Sequence, residues 1–334
     1  MTLKPPTIRD VATAAGVSTS TVSKFVNGIQ RFSPEVEAAL KTAIEKLGYR
    51  SNPQAQAMIT GRTGAIGLSV LDISNPHFTG IVKGANRVAL AHGYTLLLVD
   101  IDENPSRERS LLEALSRRVD GLLVYSRLPE PDMEWMPKLG KPLVFFGRLD
   151  HMKLPCVSGD DHLAGYMLAQ HLVAMGHKQV AYLGFSRSNR NKERMDGIKA
   201  CLAAHDLPLL TFDCDAPTAP ASELISSLIM LGKQHPDAII CYNDLMALGL
   251  MAGIQKLGFR VPDDVSVAGF DNIPFGRYTM PPLTTVDQQS EQMGEAGMHK
   301  LLAAIAGDAR VDVTTLAPQL IVRSSVLRRQ ANSR

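Results

Sequence analysis

Residues 7–28, TIRDVATAAGVSTSTVSKFVNG, decide how this chain is read. Ile8, Val11, Ala12 and Ala15 recur at helical spacing and give one apolar face. Gly16 breaks that helix and Val17 plugs the turn. Ser18 is a good N-cap, because its hydroxyl accepts from the free amides of the turn that follows. A second helix is predicted over Thr19–Asn27, with Val22, Phe25 and Val26 facing inward and Gly28 ending it. A third opens at Ser33-Pro34, buries Val36, Leu40, Ala43, Ile44 and Leu47, and stops at Gly48. Helix, tight glycine turn, helix is the helix-turn-helix pattern, whose second helix enters the DNA major groove N-terminal end first. The side chains left facing outward, Thr19, Ser20, Thr21, Ser23, Lys24 and Asn27, are hydroxyls, one cation and one amide. Such groups suit phosphates and base edges. The same pattern would also serve a small three-helix module with a solvated polar face.

Charge separates the possibilities further. The chain carries a net +2, but residues 1–63 hold eight Lys and Arg against four Asp and Glu, leaving −2 for the rest. A basic head on a slightly acidic body suits phosphate binding by the head. With 334 residues there is room for two or three folding units. An apolar fraction of 45% with 20% charged residues is that of a globular protein rather than a disordered one. No apolar run approaches the ~18 residues of a membrane-spanning helix. The opening MTLKPPTIRD lacks the apolar core of a secretory signal, so a cytoplasmic protein is expected. Cys156, Cys201, Cys214 and Cys241 are scattered, with neither a C-x-x-C pair nor histidine at metal spacing. They read as reduced thiols, and no metal is expected.

The motif D-V-A-x-x-A-G-V-S-x-x-T-V-S (residues 10–23), continued by FSPEVEAALKTAIEKLGYRSNPQAQAMITGRTGAIGL (residues 32–68), resembles the headpiece and hinge of the lactose-repressor (LacI) family. That resemblance runs without a gap from Thr7 to Leu68 and implies operator recognition. Thr19, Ser20 and Lys24 would then hold the base-reading positions, Lys24 suiting guanine O6 and N7. Ser18, Thr21, Ser23 and Asn27 fall where the family contacts phosphates. The hinge, NPQAQAMITG (residues 52–61), becomes a short helix on DNA in that family, and two of them pair in the minor groove. The wedging side chain there is usually Leu; here the position is Met58, which is more flexible and costs more entropy to order. Ala55 fits the close approach of the two hinge helices, and Pro53 is a less usual residue for the segment.

Beyond Gly64 the pattern changes. Residues 65–71, 95–100, 121–125 and 143–146 are apolar runs of strand length, with amphipathic helices predicted over Ile81–His92 and Ser106–Arg118. A second set follows at 179–184, 238–242 and 265–270, with helices over Ser222–His235 and Asp244–Leu257. Continuous apolar strands alternating with helices mean parallel sheets covered on both faces. Two such lobes place a ligand cleft between them. Asp72, Asn75 and Phe78 after the first strand, and Arg148 after the fourth, are candidate cleft residues, Phe78 for stacking on a sugar face. Arg148, Arg187, Arg190, Lys192 and Arg194 form a cationic group that favours a sugar acid or sugar phosphate, with a neutral sugar as the alternative.

GLLVYSR (121–127), HLVAMGHKQVAYLG (171–184), NDLMALG (243–249) and residues 258–288 resemble the same family's effector domain, itself similar to periplasmic sugar-binding proteins. By that resemblance Arg194, Asn243 and Asp271 match the family's effector-binding Arg, Asn and Asp, which would hold adjacent sugar hydroxyls. The resemblance also implies three passages between lobes. The domains expected are a headpiece at 1–51, a hinge at 52–63 and an effector-binding and dimerisation domain at 64–334. Lobe 1 takes about 64–161 plus 289–319, and lobe 2 about 162–288 plus 320–334. The fold class is thus a small all-α helix-turn-helix headpiece plus a two-lobed α/β effector domain with parallel sheets.

One headpiece reads too few base pairs for useful specificity, so a homodimer on palindromic double-stranded DNA is expected, with helices Ile81–His92 and Glu108–Arg118 as candidate contacts. The tail RSSVLRRQANSR (323–334) has no apolar heptads for a coiled-coil tetramer. Phosphate-loop, nucleophile-elbow, zincin and dinucleotide motifs are all missing, so neither catalytic residues nor a cofactor are assigned. Asp160-Asp161-His162 reads as a capped helix start at Asp161. A solute-binding protein would fit the body but not the headpiece. The reading is a repressor of carbohydrate or sugar-acid genes released by a sugar-like effector; a corepressor-activated or activating regulator is the alternative.

Overall fold

The computed structural model describes residues 6–49, 61–233, 235–308 and 310–329, so Ala55 and Met58 lie outside the described residues. The chain divides into two compact units at Ala65.

In the N-terminal unit, α1 (Ile8–Ala15), α2 (Thr19–Val26) and α3 (Pro34–Leu47) close around Val11, Ala12, Val22, Leu40 and Ala43. Thr7 and Asp10 form a reciprocal capping box at the start of α1. Gly16 takes a left-handed conformation (φ 66°), which turns the chain into α2. Ser18 caps α2 by accepting from the Thr21 amide at 3.1 Å. Ser33 stands at the N-cap of α3 without a capping bond; Pro34 removes one amide that would need it.

The C-terminal unit holds two six-stranded sheets. The first contains β1 (Ala65–Val70), β2 (Thr95–Asp100), β3 (Gly121–Val124), β4 (Leu143–Phe146), β5 (Cys156–Gly159) and β11 (Val313–Leu316), in the order β11-β5-β4-β3-β1-β2. The second contains β6 (Val180–Gly184), β7 (Leu209–Asp213), β8 (Ala238–Cys241), β9 (Ser266–Phe270), β10 (Thr284–Asp287) and β12 (Gln319–Ile321), in the order β12-β10-β9-β8-β6-β7. Pairing is parallel except where β12 runs antiparallel to β10. The chain passes between sheets after β5, after β10 and after β11.

Central strands such as β1, β3, β4 and β8 are buried at every residue, whereas the edge strand β2 has no fully buried residue and leaves Leu98 exposed. The helices are α4 (Pro76–Ala91), α5 (Pro105–Ser116), α6 (Asp161–Ala174), α7 (Asn189–Ala203), α8 (Ala219–Met230), α9 (Asp244–Lys256) and α10 (Ser290–Ile305). Helix α4 starts five residues before the periodicity suggests, because Asn75 caps it and Pro76 fills its first position.

Helices α6 and α7 pack most closely where each carries a glycine. A Cβ on Gly165 would sit 2.2 Å from the Arg194 carbonyl oxygen, and one on Gly197 would sit 2.0 Å from that of His162. Backbone on both sides leaves nothing able to rotate away. Gly165→Ala is therefore expected to destabilise the protein by about 1–3 kcal/mol, read from urea denaturation. A variant as stable as the parent would show that this contact is looser than described.

Candidate functional site

On the headpiece, the N-terminal end of α2 presents a hydroxyl cluster. The Ser18 oxygen lies 2.8 Å from that of Ser20 and 2.9 Å from that of Thr21. Ser18, Thr19, Ser20 and Lys24 are exposed, while Thr21, Ser23 and Asn27 are half-buried. The Asn27 amide donates to the Ser23 hydroxyl at 3.3 Å, and the Lys24 ammonium donates to the Gln30 side-chain oxygen at 3.2 Å. All seven candidate side chains thus come from one helix or its cap. Gln30 joins this group through Lys24; it lies beyond the helix, where no periodicity marks it.

In the C-terminal unit, an interlobe cavity of about 850 Å³, its open mouth included, lies at the carboxyl ends of the parallel strands. Of the seven candidates, Asn75, Phe78, Arg148, Arg194, Asn243 and Asp271 line it, and Asp72 does not. The Asp72 carboxylate instead accepts from the Ser74 amide and hydroxyl at 2.8 and 2.6 Å, closing the loop after β1. Lys192, on the same helix as Arg190 and Arg194, is not part of the lining.

Arg194 is almost wholly buried. Its Nε donates to Asp161 at 2.7 Å, its Nη1 donates to the Tyr242 carbonyl, and its Nη2 lies 3.8 Å from Asp271. The guanidinium carbon also sits 4.9 Å from the Tyr242 ring centre and 4.5 Å from that of Phe270. Burial works against this charge, but Asp161 and Asp271 outweigh it and hold the group above its usual pKa. Its Nε–H and one Nη1–H are thus taken by protein acceptors. Asn243 is similarly committed: its oxygen caps α9 at the Met246 amide (2.8 Å) and its NH2 donates to the Pro217 carbonyl (3.0 Å).

Two side chains that the sequence reading did not select bridge the lobes. Arg127, three residues past β3, donates through Nε and Nη2 to both Glu103 oxygens at 2.6 and 2.7 Å, and through Nη1 to the Ser188 hydroxyl at 3.0 Å. The same hydroxyl oxygen lies 2.8 Å from the Tyr242 hydroxyl. His77, at the start of α4, stands with Nδ1 3.5 Å from Asp271 and 2.9 Å from the Ser290 hydroxyl, and with Nε2 3.5 Å from Arg190. Burial, then Arg190, Arg194 and Arg127, push His77 well below the usual imidazole pKa, which favours its neutral form. Asp161 was also missed as a site residue: Asp160 caps α6 at the Leu163 amide, and Asp161 turns into the cavity toward Arg194 and Arg190. The useful signal was position, since Arg127, like Arg148, follows the carboxyl end of an apolar strand.

Comparison with known proteins now fits this geometry. The profile of the lacI family of bacterial regulatory proteins matches residues 7–52, and that of the periplasmic binding protein-like domain matches residues 169–326. The chain is 31% identical over 341 residues to the HTH-type transcriptional repressor PurR of Mannheimia succiniciproducens, covering 96% of this chain and 98% of that one. It is 32% identical over 304 residues to the ribose operon repressor of Halalkalibacterium halodurans, covering 90% of each. The lac repressor dimer bound to operator and the anti-inducer ONPF superposes with a TM-score of 0.89 at 26% identity, over 97% of this chain and 100% of that one. A transcriptional regulator CelR–cellobiose complex gives 0.70 at 28% identity, over 96% and 99%. The chain belongs to the lacI family of bacterial regulatory proteins and is a DNA-binding transcriptional regulator.

Asp271 supplies a test of the cavity's electrostatics. Burial, opposed by Arg194 and Arg190, pushes its carboxyl from 3.8 up to about 7. A raised carboxyl pKa means that the fold holds the proton more tightly than the unfolded chain does. That stabilisation is complete below 3.8 and lost as pH rises through about 7. Asp271→Asn, which cannot ionise, should therefore gain thermal stability over the parent as pH rises across that interval and level off above it. A difference in Tm that stays flat with pH would contradict the assignment.

Proposed function

We propose that this regulator is a cytoplasmic, non-enzymatic repressor that binds a palindromic operator as a homodimer and is controlled by a small effector in the interlobe cavity. The observation that carries the reading is a cavity lined from both lobes, bridged by Arg127 to Ser188 and by His77 to Asp271, in a chain that also bears a DNA-binding headpiece. A ligand among those bridges changes the relative cost of open and closed lobes, and the resulting rotation alters the spacing of the two hinges. Coupling of about 1–3 kcal/mol, usual for allostery, changes operator affinity about 5–150-fold. Asp271, Asn75, Phe78, Arg148, Arg194 and Asn243 are assigned to effector binding or its support. Ala55 and Met58 are assigned to the hinge contacts in the minor groove, and Ser18 to Asn27 to the major groove and its phosphates.

Fluorescence anisotropy of the purified protein on DNA from its own upstream region, with sugars and sugar acids added, tests this directly. Tight binding to a palindrome changed by one compound supports the reading, and the sign of the change separates inducer from corepressor. Lys24→Ala should weaken the specific complex by ~1–3 kcal/mol and relax sequence preference. An unchanged preference would remove Lys24 from base reading.

The dimer face is assigned partly to α8, whose Leu224, Leu228 and Leu231 are 82%, 61% and 64% exposed, more apolar surface than a solvated helix needs. Leu228→Glu is expected to weaken the dimer at least about tenfold in sedimentation equilibrium. An unaltered association constant would place the contact elsewhere.

A further inference from the structure

The proposed effector reading leaves the ligand's chemical class open, and the cavity's own groups narrow it. Five arginines line it (Arg127, Arg148, Arg187, Arg190 and Arg194) against four carboxylates (Glu103, Asp161, Glu193 and Asp271). Their pairing is uneven. Arg127 and Glu103 close on each other through two hydrogen bonds. Arg194 takes Asp161 at 2.7 Å, leaving Arg190 a contact of 3.5 Å with that same carboxylate. Arg190 otherwise faces the His77 imidazole at the long distance of 3.5 Å, the Met293 sulfur, a weak acceptor, at 3.8 Å, and the Tyr125 ring. Arg187 has only the Asp215 carbonyl, and Arg148 makes no hydrogen bond or ion pair among the described residues. The two remaining carboxylates are those that burial pushes toward their neutral forms, Asp271 to about 7 and Glu193 upward. The cavity thus carries surplus positive charge.

Two further features point to a bound ligand. Ser158 is 2% exposed, lines the cavity, and its hydroxyl has no hydrogen-bond partner among the described residues. A buried hydroxyl without a partner costs about 1–3 kcal/mol, which a ligand oxygen would recover. Helix α7 begins at the cavity with no acidic residue in its first turn and no side-chain cap, the Ser188 hydroxyl being engaged by Arg127 and Tyr242.

The aromatic side chains are poorly placed to grip a flat ring. Tyr125 is stacked on Phe146 at 4.8 Å and also has Arg190 over its ring at 5.6 Å. Arg127 and Arg187 each lie 5.3 Å from the Phe185 ring centre, and Arg194 covers Tyr242. Phe78, in edge-on contact with His77 and Tyr125, is the lining aromatic left for a sugar face, and the rest of recognition falls to hydrogen bonds and charge.

We propose that the effector is an anionic polyol, its single carboxylate or phosphate held by Arg148, Arg187 and Arg190 and its hydroxyls by Ser158, Asn75 and Asp271. This rests on the effector reading above, which stands or falls separately. Titration calorimetry of the full chain would compare a panel of aldonates, uronates and sugar phosphates, gluconate and glucose 6-phosphate among them, with neutral glucose and ribose. At least one anion should bind about tenfold or more tighter than either neutral sugar and weaken as salt is raised. Whether the carboxylates or the phosphates prevail identifies the head group. Arg148→Gln, at an exposed side chain with no hydrogen bond or ion pair among the described residues, should cost that anion about tenfold, and Arg148→Lys should keep most of the affinity. Neutral sugar bound as tightly as every anion, failure of the whole anionic panel to bind, or anion affinity unchanged in Arg148→Gln overturns the proposal. Operator affinity measured alongside separates the two readings: a response to a neutral compound overturns the anionic assignment alone, and indifference of tight operator binding to every compound that binds overturns the effector reading itself.

Discussion

A guanidinium with almost no access to water must find its counter-charge inside the protein, and Arg194 imposes that requirement on the whole interlobe region. Moving such a cation from water costs several kcal/mol, which only close, well-directed acceptors offset. Asp161 meets the demand from α6 and the Tyr242 carbonyl from the end of β8, while Asp271, just beyond β9, adds its field from 3.8 Å. Three elements of the second lobe are thereby fixed around one side chain. The close glycine contacts between α6 and α7 bring the acid and the base to bonding distance, so packing and electrostatics depend on each other.

From that anchor the cavity acquires a graded character. The side chains nearest the lobe's core are satisfied by protein and serve as wall. The exposed Arg148 and Arg187 are less committed: Arg187 donates to the Asp215 carbonyl, and Arg148 makes no hydrogen bond or ion pair among the described residues. Asp271 stands at the junction: it helps to balance Arg194, faces His77 of the other lobe at 3.5 Å, and adopts φ 106°, a backbone conformation that side-chain-bearing residues rarely take. Asp244 holds the adjoining turn by accepting from the Ile273 amide at 2.9 Å. Strain kept by a bonded loop is characteristic of places that sense a ligand.

The headpiece was almost wholly legible, because Ile8, Val11, Ala12, Gly16 and Ser18 carry helix, turn and cap signals within a dozen residues. The buried central strands were equally plain as apolar runs. The short strands β5, β7, β10 and β11 were not marked out, since Cys156–Gly159 and Val313–Leu316 mix polar and apolar residues and gain their pairing from distant neighbours. Position after a strand pointed to Arg148, Asn75 and Phe78, which line the cavity, and to Asp72, which does not, its loop folding the carboxylate back on Ser74. Arg127, His77 and Asp161 escaped because their roles depend on the opposing lobe or helix, and local sequence carries no record of what lies opposite. Arg194 shows the same limit: its residue type suggests a ligand fork, and the bonds to Asp161 and the Tyr242 carbonyl, which also make it a brace, come from elements distant in sequence.

The bond between Lys24 and Gln30 changes how the headpiece should be thought of as a reader. An ammonium already holding an amide oxygen is not a dangling probe that must be frozen on contact. It starts in a restricted set of rotamers, so part of the ordering entropy is lost before DNA arrives. Docking on a base carbonyl, the role proposed for Lys24, would exchange one oxygen acceptor for another with less ordering still to be done. A wrong base would then carry a penalty beside the missing contact, because the lysine would give up its internal partner and receive nothing in return.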